Sequence, residues 1–182
     1  MASIFGHWLV AGSLKFAFLP NAKNSKLWIL SYTCSILPDM DIIMFAFGFG
    51  YSHMFGHRGF THSLTFAFIV GISVTIVFFR QISSSSKQFW GLSFFFFLIT
   101  TSHGILDAMT NGGLGIAFFA PFDNSRYFLP FRPIQVSPID IVSFFSAWGQ
   151  RVLISEIIWV GLPCMVLVSI SMLFRLLKKT KT

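Results

Sequence analysis

The chain has 182 residues, of which 54% are hydrophobic, 18% aromatic and only 10% charged. Soluble domains carry about 25% charged residues, so this chain has too little polar surface to cover itself in water, which excludes a soluble globular enzyme, a disordered tail and a coiled coil. Its net charge is +7, but the basic residues lie at the ends of apolar runs, where they set topology and meet anionic lipid; nucleic acid is not an expected partner.

A membrane-spanning helix needs roughly 20 predominantly apolar residues. Five stretches qualify in chain order: residues 4–19, 27–49, 62–79, 89–109 and 152–177. The first is short, and it lacks the basic flank and small-residue cleavage site of a signal peptide, so it is expected to stay. The second is interrupted by Leu37-Pro38-Asp39-Met40-Asp41, and Pro38 is expected to break it and let Asp39 start a fresh helix. Between the fourth and fifth lies a Gly-, Pro- and Asn-rich loop over about residues 110–151. Within that loop Ser137-Pro138 predicts a capped short interfacial helix over residues 139–148. The two cysteines, Cys34 and Cys164, sit inside apolar runs without C-x-x-C spacing, which argues against a disulfide framework or a thiolate site. The expected fold is therefore all-α: one polytopic membrane-embedded helical bundle over residues 1–182, with about five transmembrane segments.

If the segments alternate across the membrane, Lys15, Lys23, Lys26, Arg80, Lys87, Arg175, Lys178, Lys179 and Lys181 share one side, and Arg58, Arg126, Arg132 and Arg151 the other. Cytoplasmic loops are the basic ones. The N-terminus is then expected outside, the C-terminus in the cytoplasm and the Gly/Pro-rich loop outside, as in a bacterial inner membrane protein.

Ionisable side chains are costly inside a bilayer and commonly mark function. His7 lies 16 residues before Lys23, Asp39 lies 13 after Lys26, His62 lies 18 before Arg80, and His103 and Asp107 lie 16 and 20 after Lys87. At about 1.5 Å per residue these offsets place all of them roughly 20–30 Å above the cytoplasmic boundary. Four segments thus bring His and Asp residues to one outer-leaflet layer.

The chemistry follows from the residue types. His103 and Asp107 form an H-x-x-x-D spacing, which puts imidazole and carboxylate on one helical face. Asp39 and Asp41 lie close enough to repel unless a cation intervenes. In His57-Arg58-Gly59-Phe60-Thr61-His62-Ser63 the glycine allows a tight backbone, Thr61 is the expected cap of the next helix, and both histidines can reach one cleft. Candidate metal ligands are His7, Asp39, Asp41, His57, His62, His103 and Asp107. His53, on the same loop, has no comparable context. This donor set of imidazoles and carboxylates suits zinc, with manganese or iron as alternatives, and its number allows more than one ion. Arg58, Arg126 and Arg132 share the same side and are candidate anion contacts.

The order of His7, Leu37-Pro38-Asp39-Met40-Asp41, His57-Arg58-Gly59-Phe60-Thr61-His62-Ser63 and His103-x-x-x-Asp107 resembles the YdjM family of membrane-bound, predicted metal-dependent hydrolases. Asp107-Ala-Met-Thr-Asn-Gly-Gly, Pro121-Phe122 and Arg126-Tyr127-Phe128 resemble the same family, and the likeness runs over about residues 3–140. More distantly, the pattern is similar to the zinc-dependent phospholipase C and P1 nuclease group, although this sequence has one clear H-x-x-x-[DE] pair where that group has two. The resemblance implies a metal-dependent hydrolase, and a lipid or lipid-linked phosphoester at the outer face is the expected substrate. A transporter or proton relay and a non-catalytic membrane protein with a structural metal are the alternatives.

Overall fold

The computed structural model describes residues 1–20 and 24–179. Lys23 and Lys181, two of the basic residues behind the expected orientation, lie outside the described residues. Helix α1 spans Ile4–Phe18, α2 spans Ser25–Ile36 and passes directly into a 3-10 stretch over Leu37–Phe47, α3 spans Leu64–Phe78, and α4 spans Lys87–Ala108. A four-residue helix α5 (Ile141–Phe144) precedes α6 (Ala147–Glu156), a π-helical turn at Ile157–Gly161 and α7 (Leu162–Lys179). Among the described residues there is no strand, only two isolated bridges, Thr110 with Ile134 and Ile116 with Tyr127. The all-helical bundle expected from hydropathy is what the chain forms.

Three segments are long and apolar enough to cross a bilayer: Ser25–Phe47, Lys87–Ala108 and Ala147–Lys178. The helices Ile4–Phe18 and Leu64–Phe78 are shorter apolar helices of 15 residues each, about 22 Å in length. Large apolar side chains of the last segment, among them Leu162, Met165, Val166 and Phe174, are exposed on the surface of the bundle, as a helix surrounded by acyl chains requires. Inside, Ala11, Leu30, Cys34, Val70, Phe96 and Ile99 form an apolar core. Packing between α3 and α4 depends on Gly71, where an added Cβ would strike the Ser93 carbonyl and the Phe97 backbone; small residues let membrane helices approach this closely.

Pro38 does not interrupt the second segment. It removes one N–H donor, and the backbone keeps winding but tightens to i→i+3 bonds until Gly48, in the left-handed region at φ 81°, ends it. At 3.0 residues per turn, side chains two apart point about 120° from each other. Asp39 and Asp41 therefore meet His62 at different ring nitrogens, Asp39 near Nε2 and Asp41 near Nδ1. Two other boundaries also move. The short helix after the loop is Ile141–Phe144, capped by Asp140 rather than by Ser137, and Ser146 caps the helix that continues into the last span.

The Gly/Pro-rich loop folds back onto the bundle. Backbone pairs join Asn111 N–H to the Ile134 carbonyl, Leu129 N–H to Ala108, Ala117 N–H to Arg58 and Leu64 N–H to Phe118. Ile116, Ala117, Ala120 and Ile134 are buried by this return, so the end of α4 and the His57–His62 segment are covered by ordered chain.

Candidate metal centre

Four elements deliver the site. His7 stands on the second turn of α1, Asp39 and Asp41 on the 3-10 stretch, His62 on a short 3-10 turn over Phe60–His62, and His103 and Asp107 one turn apart on α4. Gly104 lets α4 approach that turn: a Cβ there would meet the His62 carbonyl at 3.0 Å. Ser63, not Thr61, caps α3 by accepting the Phe66 N–H at 3.0 Å. Thr61 instead turns its hydroxyl inward to Asp41.

Asp39, His62, His103 and Asp107 each offer a ligand atom, all within 4.8 Å of one another. His62 Nε2 and His103 Nε2 are 3.1 Å apart. Asp39 Oδ1 lies 3.2 Å from His103 Nε2 and 3.6 Å from His62 Nε2, and Asp107 Oδ2 lies 3.8 Å from His62 Nε2. The far nitrogen of His103, Nδ1, is 2.7 Å from the Ser35 carbonyl. A carbonyl only accepts, so Nδ1 carries the proton and Nε2 of the neutral ring is a bare lone pair. Asp39 Oδ1 and Asp107 Oδ2 are buried without a hydrogen-bond partner, as are both nitrogens of His7. Buried polar atoms are nearly always satisfied; here Arg58 Nε at 3.3 Å and the Met1 amino group at 3.9 Å are the cations beside Asp107 Oδ2, and the cluster could hold a metal ion as well.

The spacing fits one. Metal–ligand bonds of about 2.0–2.2 Å in tetrahedral geometry separate the donors by about 3.4 Å, and the observed separations straddle that value. His7 extends the group: its ring stacks on His103 with centroids 3.8 Å apart, and its Nε2 lies 3.5 Å from Asp107 Oδ1. The side chains of His62, His103 and Asp107 are fully buried, whereas Asp39 is 14% exposed. Asp39 is the least buried of the four, although its Oδ1 is itself buried.

Asp41, His57 and His62 form a second group able to hold an ion. Its atoms are differently engaged. Asp41 Oδ1 lies 2.7 Å from His57 Nδ1, while Oδ2 accepts the Arg58 N–H at 3.1 Å and the Thr61 hydroxyl at 2.6 Å.

Two of the three arginines differ from their expected role as anion contacts. Arg58, held at φ 66°, is completely buried. Its guanidinium donates to the Gly112 and Leu114 carbonyls at 2.9 and 2.7 Å and to the Thr110 hydroxyl at 2.9 Å, with Nε 3.3 Å from Asp107 Oδ2. Arg126 donates to the carbonyls of His57, Tyr51 and His53 at 3.0–3.1 Å. Both tie the Gly/Pro-rich loop to the His57–His62 segment, since a planar fork of donors suits converging carbonyls. Arg132 remains exposed, stacked over Phe128. His53 is exposed, and its Nδ1 accepts the Phe55 N–H.

Sequence reasoning missed Glu156. This buried carboxylate on α6 accepts the Ser3 N–H and the Ser3 hydroxyl, each at 2.5 Å, and so ties the last segment to the start of α1. A lone acid inside an apolar segment was its signal. Asp107 Oδ1 makes the parallel contact, accepting the Ala2 N–H at 2.6 Å.

Comparison with known proteins agrees with this architecture. The profile of the family described as YdjM inner membrane protein matches residues 1–181. Inner membrane protein YbcI of Escherichia coli (strain K12) is 38% identical over 133 residues, covering 73% of this chain and 75% of that protein. No solved structure matches the chain. With an apolar helical bundle, a full-length profile match and this relative in hand, the chain belongs to the YdjM family of inner membrane proteins.

Proposed function

We propose that the chain is a membrane-bound metal-dependent hydrolase whose ion is held by Asp39, His62, His103 and Asp107, with His7 beside it. The observation that carries this reading is the His62–His103 pair. Two imidazole nitrogens face each other at 3.1 Å beside two carboxylate oxygens that accept no hydrogen bond, an arrangement that a cation stabilises. The mixed N and O donor set suits zinc, with manganese or iron as alternatives. An ion so held lowers the pKa of a bound water toward about 7 and supplies a nucleophile for hydrolysis.

Hydrolysis is preferred to a purely structural metal because Asp39, on one edge of the ligand set, is partly exposed, and catalytic sites keep a position open where structural ones are closed. The substrate is a lipid or lipid-linked phosphoester, on the strength of a hard, cationic centre surrounded by apolar spans. Since Arg58 and Arg126 are engaged within the protein, recognition of the anion falls to the ion itself. The likeness to the phospholipase C and P1 nuclease group rests on sequence pattern alone. The distribution of basic residues favours the outer face for the site. A proton path to the opposite side is disfavoured, because the buried hydroxyls of Ser31, Thr75 and Thr100 bond to carbonyls of their own helices.

The test is metal analysis and phosphoesterase assay of detergent-purified protein and of Asp107→Asn. Wild-type protein should carry bound metal and turn over, and the variant should lose both together. A variant with full activity would refute the assignment.

A further inference from the structure

The two candidate ion groups share His62, and their hydrogen bonding separates them. In the group of Asp39, His62, His103 and Asp107 the carboxylate oxygens Asp39 Oδ1 and Asp107 Oδ2 accept no hydrogen bond, although Arg58 Nε lies 3.3 Å from Asp107 Oδ2. In the group of Asp41, His57 and His62 both carboxylate oxygens are engaged, Oδ2 by two donors. Asp41 is surrounded by His57 Nδ1, the Arg58 N–H and the Thr61 hydroxyl, and His62 Nδ1 lies 3.1 Å from its Oδ2. An N–H and a hydroxyl hydrogen aimed at a carboxylate occupy the lone pairs that an ion would need.

The bonds also have a direction. The single hydroxyl hydrogen of Thr61 goes to Asp41 Oδ2, because a carboxylate only accepts. Toward His62 Nδ1, 3.1 Å away, Thr61 can then only accept. The proton of a neutral His62 is thereby fixed on Nδ1, and its Nε2 lone pair is turned to His103, Asp39 and Asp107. Ser35 does the same for His103. A metal-ligating histidine commonly donates its other N–H to such a partner, which orients the ring and raises its basicity.

We propose that Thr61 and Asp41 are positioning residues that hold His62 with Nε2 presented to the ion, and that the Asp41–His57–His62 cluster supports one ion rather than binding a second. The assignment rests on the metal-centre reading above. It also explains the placement of Thr61: Ser63 caps α3, which leaves the neighbouring hydroxyl for Asp41.

Zinc titration of metal-stripped, detergent-purified protein tests it, with cobalt as a spectroscopic stand-in. Wild type should bind one zinc per chain. Thr61→Val keeps the shape and removes the hydroxyl; it should still bind one zinc, about 10- to 100-fold more weakly, with an altered cobalt spectrum. The unfolding temperature of its metal-free form should fall, as the loss of a hydrogen bond to a charged group requires, but a merely structural role would not change the cobalt spectrum of the loaded protein. Thr61→Ser restores the hydroxyl and should recover both affinity and spectrum. Asp41→Asn should weaken binding in the same way at one zinc per chain, which keeps the assignment testable if the valine variant folds poorly. A second zinc in wild type that His57→Ala abolishes, or wild-type affinity in Thr61→Val, overturns the proposal while leaving the metal centre intact. Wild-type protein that takes up no zinc overturns the metal-centre reading itself.

Discussion

The imidazole of His7 lies flat on that of His103, with ring centroids 3.8 Å apart and an interplanar angle of 10°. This stack joins the first apolar helix to the H-x-x-x-D face of α4 and leaves both His7 nitrogens buried and unpartnered. His7→Phe preserves an aromatic ring for the stack and removes the donors. Zinc affinity is expected to fall by at least about tenfold, with the helical content of the protein unchanged by circular dichroism.

Glu156 secures α1 at the height where His7 is needed. In Glu156→Ala the Ser3 N–H and hydroxyl lose their shared acceptor, and hydrogen bonds to a charged group contribute about 1.5–3 kcal/mol. The unfolding temperature in detergent should drop, and metal affinity should drop with it. Glu156→Gln keeps an acceptor for Ser3 and should be milder on both measures.

Arg58 is expected to matter for folding of the loop rather than for substrate. Removing its guanidinium strands the Gly112 and Leu114 carbonyls and takes a cation away from buried Asp107. Breaking such a buried pair costs about 3–5 kcal/mol. Arg58→Ala should make the loop between α4 and α5 cleave faster in limited proteolysis. Arg58→Lys should not rescue it, because an ammonium lacks the fork of donors.

Metal loading should depend on pH with one sign. The ion competes with protons for neutral imidazole nitrogen, so zinc affinity should rise with pH across the range in which the ligand histidines lose their protons. Equilibrium dialysis on either side of that range checks it; affinity flat across the range would argue against histidine ligation.

Orientation has its own measurement. A cysteine replacing exposed Asn124 should react with an impermeant maleimide from outside the cell, and a reporter after the last residue should read out in the cytoplasm. Labelling of Asn124→Cys only after the cytoplasmic face is opened would place the site at the inner leaflet.

Five apolar runs, a common height for His7, Asp39, His62, His103 and Asp107, and the one-faced H-x-x-x-D pair could all be read from one dimension. Bilayer thickness and helical rise turn residue spacing into depth, and the i, i+4 rule turns it into a face. The tertiary structure decided which lone pairs meet. Whether Pro38 breaks or only tightens the second segment depends on how the backbone re-pairs its carbonyls, and that choice rotates Asp39 toward His103 and Asp41 toward Thr61. Whether an arginine meets substrate or its own chain depends on where a Gly-rich loop returns, and Arg58 and Arg126 close on carbonyls that lie 11 to 75 residues away in sequence. Glu156 reaches Ser3 across 153 residues for the same reason. Hydropathy and spacing are local properties, whereas satisfying a buried donor or acceptor is a property of the whole packed bundle.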